Sequence, residues 1–488
     1  MTRRVGLFSL AFGAGFAVLT IEIAGARLIA PVFGLSAVPW TAVIGVILTA
    51  LAVGNHVGGR LADSGRVPLS RILIVAGATG VLPVLGTGVP WVARSLLGFI
   101  PGAVVSALVL FAPPVFCLGA VVPYLVRADT ESLETIGRRA GDISAAATAG
   151  SILGSFMTGF VLLPAMPLPL LLGFTAGALF LMAFAAARVL GETSVSGSAL
   201  LGAIAVPGLG LLASGTAPDT LHAEQTLYTA VTVTERTWSN GRMVRELWQN
   251  GGSSSAEYVD SGDPAHGYAT ASLDVLEPLI GGMERALVLG GAALTLPVAF
   301  TERNADLEVD VVEIDPAVTR LAAEYFAFGT HSRARISVVH EDARVFLRGS
   351  DDLYDLVYLD VFDHLLTVPW TMVTQEAFSD MAERLSPEGV FMANVLSPLS
   401  GPGTAFLQRL RTTLETAFAD VRLYVADPGL DRAATQNLIV VATRDPSTLP
   451  PFDRAEARVE ATGPALTDAW APVEYLQAKV FVEGLRWR

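Results

Sequence analysis

The first 216 residues of this 488-residue chain carry very few charges, and this feature limits the possible folds more than any other. Residues 1–216 hold 7 acidic and 11 basic side chains, whereas residues 217–488 hold 39 and 21. A helix needs about 20 mostly apolar residues to cross a bilayer. Such stretches occur at roughly 5–32, 38–58, 72–93, 102–126, 143–163, 167–188 and 196–215. The sequence therefore predicts an N-terminal all-α polytopic membrane bundle of about seven helices over residues 1–216.

Small residues recur at helical spacing in the fifth stretch. Gly150, Gly154 and Gly159, with Ser151 and Ser155, would form one face of that helix. Helices in lipid approach one another closely through such faces. We expect this face to pack against a neighbouring helix.

A few polar residues lie within or at the ends of the predicted spans. Glu22 and Arg27 belong to the first span, and Asn55 and Arg60 end the second. Charged side chains in lipid usually face a protein interior or a polar cavity. These four residues indicate either a polar substrate path or a structural polar cluster, and the sequence leaves both interpretations open.

The side of the membrane on which the second half lies depends on the number of spans. Basic residues accumulate in cytoplasmic loops, and most arginines fall on one side of the predicted bundle: Arg3, Arg4, Arg60, Arg66, Arg71, Arg127, Arg138, Arg139 and Arg188. Seven spans would place residues 217–488 outside the cell. If 196–215, which contains Pro207, is instead re-entrant or lies on the surface, six spans return residues 217–488 to the cytoplasm, where we place them. The sequence leaves the number of spans open.

The composition of the second half excludes some functions. Its excess of 18 negative charges argues against nucleic-acid binding, which needs basic patches to neutralise phosphates. The chain has one cysteine and six scattered histidines, so we expect no metal site. An acidic surface suits a cationic small-molecule substrate.

Residues 217–488 show two patterns of strands. Residues 226–235 and 243–248 alternate around a Ser-Asn-Gly-Arg turn, which predicts a small β-hairpin element within 217–270. From 271 to 488, short apolar strands alternate with helical stretches, and this pattern is typical of a parallel sheet covered on both faces. We expect strands at 286–289, 307–314, 336–339, 356–359, 390–394, 421–425 and 438–442.

Ligands of such sheets bind at the carboxyl ends of the strands, where several polar residues occur. Gly290 and Gly291 follow the first strand, and glycines allow a ligand to approach the backbone closely. Glu313 ends the second strand and could accept hydrogen bonds from ribose hydroxyls. Asp342 and Ala343 follow the third strand, where a carboxylate could meet an adenine amino group. These loops together predict an adenosyl-type nucleotide site.

Two further carboxylates follow the fourth strand. Asp360 and Asp363 stand three residues apart, where an acceptor would meet the nucleotide. One could take a proton from an attacking amine and the other could hold a cationic group.

At these residues the C-terminal half resembles the spermidine synthase family of polyamine aminopropyltransferases. The similarity covers roughly 226–445 and is carried by Val288-Leu-Gly-Gly, Val311-Val-Glu-Ile-Asp-Pro-Ala-Val, Glu341-Asp-Ala-Arg-Val-Phe-Leu and Tyr354-Asp-Leu-Val-Tyr-Leu-Asp-Val-Phe-Asp. The N-terminal half is similar to the hydrophobic region of membrane-bound, transporter-fused members, at Glu22 to Arg27, Gly54 to Asp63, Gly119 to Pro123 and Gly150 to Pro164.

The resemblance implies a methyltransferase-like Rossmann domain, without a metal, that binds decarboxylated S-adenosylmethionine as a co-substrate. It implies that Glu313 holds the ribose and Asp342 the adenine. Asp360 would be the base for the acceptor amine, and Asp363 would bind the polyamine. Tyr268, within Gly267-Tyr268-Ala269, would take the place of the tyrosine in the family's Tyr-His-Glu motif only when an insertion is allowed. Homodimer assembly is left open.

The sequence also departs from the family pattern. The glycine loop reads Gly-Gly-Ala-Ala-Leu-Thr and lacks the acidic residue that helps to hold the aminopropyl amine. The family's glutamine after the hairpin is replaced within the Gly-Gly-Ser-Ser-Ser stretch 251–255. Two alternatives therefore remain: an S-adenosylmethionine-dependent transferase with another acceptor, or a transporter or sensor that binds a nucleoside or polyamine without turnover.

Overall fold

The computed structural model describes residues 3–34, 37–130, 135–192, 197–215, 218–330, 335–362 and 368–477. Contacts divide the chain into two compact units, Met1–Ala217 and Pro218–Arg488. Where it is described, the first unit is built from helices, and the second contains both sheets of the chain.

The first unit consists of apolar helices joined by short breaks. They are α1 (Arg3–Phe33), α2 (Ala37–Ser64), α3 (Leu69–Thr79), α4 (Leu82–Leu85), α5 (Val89–Leu97), α6 (Phe99–Leu110), α7 (Ala112–Gly119), α8 (Val121–Asp129), α9 (Ile136–Met157), α10 (Leu163–Ala165), α11 (Leu168–Leu190) and α12 (Gly197–Ala213). A π-helical turn, Thr158–Leu162, joins α9 to α10.

The described helices offer four to six candidate membrane spans. Four segments are long and apolar enough on their own: α1, α2, Ile136–Ala165 and α11. Two bent pairs, Leu69–Leu85 with Val89–Leu97 and Phe99–Leu110 with Ala112–Asp129, would add one span each. The predicted seventh segment forms α12, a shorter apolar helix of 17 residues. The predicted bundle is thus found as an apolar helical unit, without confirmation of seven spans.

Helices α1 and α9 pack closely through small residues of α9. Gly150 lies against the backbone of Phe12, and Gly154 against that of Phe16. Gly159 has no neighbour where a Cβ atom would stand. The expected small-residue contact is present, but the prediction that Gly159 belongs to it is wrong, because the helix changes to π geometry at Thr158.

The second unit begins with a four-stranded antiparallel sheet. Its strands are β1 (Thr220–Gln225), β2 (Ala230–Thr237), β3 (Met243–Gln249) and β4 (Gly252–Tyr258), in that spatial order. The sequence predicted the central hairpin, with the first strand starting four residues too early. It missed β1 and β4 because their polar and small residues show no apolar alternation, so that pairing with β2 and β3 decides their conformation.

A seven-stranded sheet follows. Its strands are β5 (Arg285–Leu289), β6 (Glu308–Val312), β7 (Ile336–Val339), β8 (Tyr354–Leu359), β9 (Leu385–Ser397), β10 (Asp420–Val425) and β11 (Gln436–Thr443). The spatial order is β10-β11-β9-β8-β5-β6-β7. Strands β5 to β9 are parallel, as predicted, whereas β11 runs antiparallel to both β9 and β10.

Helices cover both faces of this sheet. They are α13 (Gly267–Ile280), α14 (Thr295–Arg303), α15 (Pro316–Tyr325), α16 (Ala343–Gly349), α17 (Gln375–Glu383) and α18 (Ala405–Leu414). One apolar core joins the sheet to α13, α14 and α15, and another joins it to α16, α17 and α18. The strand order reverses between β5 and β8, which is where doubly wound sheets bind ligands.

Candidate active site

The loops after β5 and β8 touch each other at this reversal point. The backbone N–H of Asp360 donates to the carbonyl of Leu289 at 2.9 Å. Gly290 has a φ of 91°, and a Cβ atom at this position would lie 2.5 Å from the carbonyl oxygen of Asp360. Only glycine fits there, since a side chain would push the catalytic candidate away.

The loop after Gly290 contains two residues in the left-handed region. Ala292 has a φ of 42° and Leu294 a φ of 60°, values that non-glycine residues rarely adopt. Each costs about 1–2 kcal/mol relative to the right-handed region. The loop therefore follows a path that glycine would adopt more easily than Ala292 or Leu294, and other contacts must hold it there.

Glu313, at the end of β6, supplies these contacts. Its Oε2 accepts hydrogen bonds from the N–H groups of Gly291 and Ala292, each at 3.1 Å, and its Oε1 accepts from Asp315 at 3.1 Å. Burial raises the pKa of Glu313, and the backbone donors oppose that rise. A carboxylate has about four acceptor positions, so one is left for a ribose hydroxyl. Sequence reasoning assigned Glu313 to the ribose and missed its role in organising the loop.

Asp342 and Ala343 lie at the next strand end and begin α16. Asp342 Oδ1 accepts from the N–H groups of Arg344 at 2.9 Å and Val345 at 3.1 Å, which makes it the N-cap of the helix. Its Oδ2 accepts none of the hydrogen bonds found among the described residues. This exposed carboxylate can cap the helix and accept from an adenine amino group at the same time.

Asp360 lies at the end of β8 and is held by two side-chain donors. Tyr268 Oη lies 3.1 Å from its Oδ2, and Asn394 Nδ2 donates to its Oδ1 at 3.1 Å. Burial raises the pKa of Asp360 to about 6, and the bonds from Asn394 and Tyr268 act against that rise. A carboxylate with a pKa near the working pH is suited to accept a proton during a reaction.

The structure brings Tyr268 to Asp360 from the first turn of α13. The Tyr268 hydroxyl has one proton and two acceptors, Asp360 Oδ2 at 3.1 Å and the carbonyl of Ser254 at 3.3 Å. Burial and the neighbouring Asp360 raise the pKa of Tyr268 well above its ordinary value, so the phenol stays protonated and donates. The second predicted carboxylate, Asp363, lies outside the described residues.

Sequence reasoning missed two asparagines behind Asp360. Asn394 is the last residue of the predicted fifth strand, and its Oδ1 accepts from Asn437 Nδ2 at 2.9 Å. An amide at the carboxyl end of an otherwise apolar strand was the available signal for Asn394. Asn437 had no comparable signal, because its contact depends on the antiparallel pairing of β9 and β11.

A polar network flanks Tyr268 on the side of the small sheet. The His266 ring stacks on Tyr268 with centroids 5.8 Å apart, and its Nε2 lies 3.0 Å from Ser253 Oγ. Ser253 Oγ donates to Glu246 Oε1 at 3.0 Å, and Arg236 pairs with Glu246 at 2.6 Å. Because the serine proton goes to the carboxylate, His266 Nε2 must be the donor to Ser253.

Ala293 lies in the glycine loop, which lacks the acidic residue of the family pattern. Its side chain is buried, and its N–H donates to Ser255 Oγ at 3.2 Å. Two departures from the family pattern thus meet in one contact between the glycine loop and β4. The contact joins the small sheet to the glycine loop, and neither Ala293 nor Ser255 carries a charge.

Residues 276–427, which include β5 to β10 and most of the site, match the spermine/spermidine synthase domain. This segment is similar to that domain family. The glycine loop, Glu313, Asp342, Asp360 and Asn394 all lie inside it, whereas Tyr268 and Asn437 lie just outside.

Curated proteins similar to this chain include aminopropyltransferases. A probable polyamine aminopropyl transferase of Bifidobacterium longum is 31% identical over 142 residues, and these cover 29% of this chain and 30% of that protein. A polyamine aminopropyltransferase of Vibrio vulnificus is 32% identical over 117 residues, covering 23% and 38%. The chain thus spans well under half of the length of these relatives.

One relative matches a longer part of the chain. A polyamine aminopropyltransferase of Mycobacterium tuberculosis is 26% identical over 423 residues, which cover 79% of this chain and 77% of that protein. This alignment is longer than the whole C-terminal unit, so it extends into the helical unit. Among solved structures, a probable spermidine synthase from Corynebacterium glutamicum aligns with a TM-score of 0.40 and 20% identity, covering 47% of this chain and 81% of that one.

Proposed function

We propose that this protein is a membrane-bound aminopropyltransferase that moves an aminopropyl group from decarboxylated S-adenosylmethionine to a polyamine. One observation carries the proposal: Asp360, with a pKa of about 6, stands beside the nucleotide loop and is held there by Tyr268 and Asn394. Its place in a spermine/spermidine synthase domain supports the same reaction.

The residues of the chain would contribute positioning and one proton transfer. Asp360 would accept a proton from the acceptor ammonium, and the freed amine would attack the carbon next to the sulfonium. The new carbon–nitrogen bond would form as the carbon–sulfur bond breaks, and the electron pair would stay on sulfur as a neutral thioether. Since the sulfonium is already a good leaving group, orientation and deprotonation would dominate the rate.

The nucleotide loops fit an adenosyl group. Glu313 keeps one acceptor position beside the Gly291 and Ala292 backbone, and Asp342 Oδ2 is available one strand further along. Carboxylates at the ends of two neighbouring strands can receive a ribose hydroxyl and an adenine amino group.

A second candidate function follows from Ala293. Without an acidic side chain at that position, the amine of the aminopropyl chain loses one charged partner. An S-adenosylmethionine-dependent transfer to another acceptor would not need that partner. Asp360 as a base for an amine acceptor is common to both candidates, so the donor distinguishes them.

Titration calorimetry of the purified full-length protein separates the two candidates. We expect tighter binding of decarboxylated S-adenosylmethionine than of S-adenosylmethionine, and a spermidine product with putrescine. Binding of S-adenosylmethionine alone would overturn aminopropyl transfer and favour the second candidate. Binding of a polyamine without turnover, together with uptake into liposomes, would favour a transport function of the helical unit.

We also propose that the helical unit crosses the membrane seven times. One end of the bundle is tied together by polar contacts: Arg4 pairs with Asp142 at 2.8 Å, and Glu192 accepts from the N–H of Leu69 at 2.9 Å. These residues stand at the starts of α1, α3 and α9 and just after α11. The basic residues cluster at this end, which the positive-inside rule assigns to the cytoplasm.

Helix α12 supports the seventh crossing because it runs antiparallel to α11. Gly202 lies against Phe180, and Gly210 lies against Pro169. The end of α12 therefore stands beside the start of α11, at the face opposite the basic residues. Its 17 residues span about 25 Å, near the roughly 30 Å of a bilayer core. This favours export of residues 218–488 over the cytoplasmic placement expected from the sequence, and the adenosyl donor would then have to reach that side.

Cysteine labelling in intact cells tests this placement. Cys117 is the only cysteine of the chain, so Cys117→Ala provides a clean background. In that background we expect Ser239→Cys, in an exposed turn of the C-terminal unit, to react with an impermeant maleimide in intact cells. Arg138→Cys, on the exposed basic end of α9, should react only after permeabilisation. The reverse pattern would place the C-terminal unit in the cytoplasm.

A further inference from the structure

Three polar side chains form a row across neighbouring strands of the seven-stranded sheet. Asp360 directly follows β8, Asn394 lies on β9 and Asn437 lies on β11. Ile439 is the residue paired with Asn394, so Asn437 is two residues from direct register and shares the face of Asn394. A hydrogen bond of 2.9 Å joins Asn437 to Asn394, and one of 3.1 Å joins Asn394 to Asp360.

The direction of each bond in this row is determined by chemistry. An ionised carboxylate only accepts hydrogen bonds, so Asn394 must present its Nδ2 to Asp360. Its Oδ1 then faces away and needs a donor, which Asn437 supplies through Nδ2. If Asn437 could not donate, the amide of Asn394 would lose the contact that favours this orientation over the flipped one. The flipped amide would put two oxygens against each other at Asp360.

We propose that Asn437, acting through Asn394, is a positioning residue that holds the Asp360 carboxylate as a base directed towards the acceptor amine. This inference rests on the proposed function, because Asp360 is the base only in that reaction. Asn437 contacts Asn394 and not Asp360, so it acts on Asp360 only through Asn394. Asn394 is buried at 5% exposure, which makes an unpaired or flipped amide costly there.

The remaining surroundings of Asp360 are neutral among the described residues. Tyr268 of α13 donates to its Oδ2, and the titratable side chain of Tyr358 on β8 lies nearby, with a raised pKa that keeps its phenol protonated. Tyr358 Oη bonds Ser272 Oγ at 2.8 Å. The two donors Tyr268 and Asn394 are therefore the groups that stabilise the charged form of Asp360, and both lower its pKa.

Replacement of Asn437 by aspartate is the sharpest test. Asn437→Asp keeps the shape of the side chain and exchanges its donor for an acceptor, which should turn the Asn394 amide around. We expect the acid limb of the kcat profile to move to higher pH by at least about one unit, the size of a lost hydrogen bond to a charged group, because the added negative charge raises the pKa of Asp360 further. Asn437→Ala adds no charge and should move the limb in the same direction by less.

Matched controls separate this role from a structural one. Asn240→Asp makes the same change on an exposed turn and should leave the profile unchanged. In an Asn394→Ala background, Asn437→Ala should have no further effect on the profile, because the connecting amide is absent. A merely structural role of Asn437 would lower the melting temperature and leave the acid limb in place, which would overturn the proposal.

A spectroscopic readout keeps the inference testable if the protein transfers no aminopropyl group. The pKa of Asp360 can be followed by infrared titration of the full-length protein, using the difference between wild type and Asp360→Asn. We expect Asn437→Asp and Asn437→Ala to raise this value. An unchanged value in both variants would refute the positioning role, whereas a raised value without any turnover would refute only the proposed reaction.

Discussion

The hydroxyl of Tyr268 lies 3.1 Å from Oδ2 of Asp360, although 91 residues separate the two in the chain. Tyr268 stands on the first turn of α13, and Asp360 follows β8. The contact joins the segment after the small sheet to the reversal point of the large sheet. It gives the candidate base one of its two donors and suggests how each part of the site can be tested.

Asp360→Asn should abolish turnover and leave the binding of decarboxylated S-adenosylmethionine nearly unchanged. The amide cannot take a proton from the acceptor, and loss of a general base costs roughly 10²–10⁴-fold in rate. The nucleotide contacts belong to other residues, so the dissociation constant measured by calorimetry should change less than about threefold. Asp351→Asn, an exposed residue before β8, is the control. Surviving activity in Asp360→Asn would show that another group is the base.

The rate should rise with pH through about 6 and level off above it, because Asp360 must be ionised to act. Tyr268→Phe removes a donor to the charged form, which raises the pKa of Asp360 and moves the rise to higher pH by about one unit. Tyr358→Phe removes a hydroxyl that bonds Ser272 instead, and serves as the comparison. Identical pH profiles for both variants would contradict the role given to Tyr268.

Asp360→Asn should also stabilise the protein at alkaline pH. The pKa of Asp360 rises from 3.8 in a model compound to about 6 in the folded chain, so the folded state holds its proton more tightly than the unfolded state. Stability is therefore lost as pH rises from about 4 through about 6, by roughly 3 kcal/mol at most. The melting temperature of the variant should exceed that of wild type at pH 8 and differ less at pH 5. A larger gain in melting temperature at pH 5 than at pH 8 would contradict a raised pKa of Asp360 in the folded state.

Glu313→Gln should weaken donor binding and destabilise the glycine loop. One oxygen of the carboxylate becomes an NH₂ group, which cannot accept a hydrogen bond. The side chain can then no longer satisfy all three backbone donors, Gly291, Ala292 and Asp315. An unsatisfied buried donor costs about 1–3 kcal/mol, which corresponds to roughly 10–100-fold in affinity. Calorimetry and thermal unfolding would measure the two effects. Glu308→Gln, at the exposed start of the same strand, should change neither.

Gly290→Ala adds only one methyl group, but it should displace the loop that carries Asp360. The new Cβ atom would lie 2.5 Å from the carbonyl oxygen of Asp360, and the φ of 91° disfavours any side chain. We expect loss of turnover and a lower melting temperature. Gly281→Ala follows α13 at a φ of −65° with open space around it, and should be close to neutral. Wild-type activity in Gly290→Ala would mean that the two loops separate without consequence.

Much of the C-terminal fold could be predicted from local patterns. The strands at 286–289, 336–339 and 356–359 follow from short apolar runs, and Asp342 and Asp360 follow from their place at strand ends. The small sheet was only half predicted, since β4 is a Gly-Ser-Ser-Ser stretch whose pairing with β3 makes it a strand. In the helical unit the apolar stretches were evident, whereas the bends after α4 and after α6 were not.

The sequence by itself determined the two-part organisation, because a charge-poor apolar half and an acidic alternating half cannot share one core. It also determined which strand ends carry carboxylates, since these positions follow from the chain alone. The tertiary structure decided what those carboxylates do. Glu313 organises a strained loop. Burial raises the pKa of Asp360 to about 6, while Tyr268 and Asn394, itself held by Asn437, donate to its carboxylate. These contacts join residues far apart in sequence, so they exist only once the sheet has assembled.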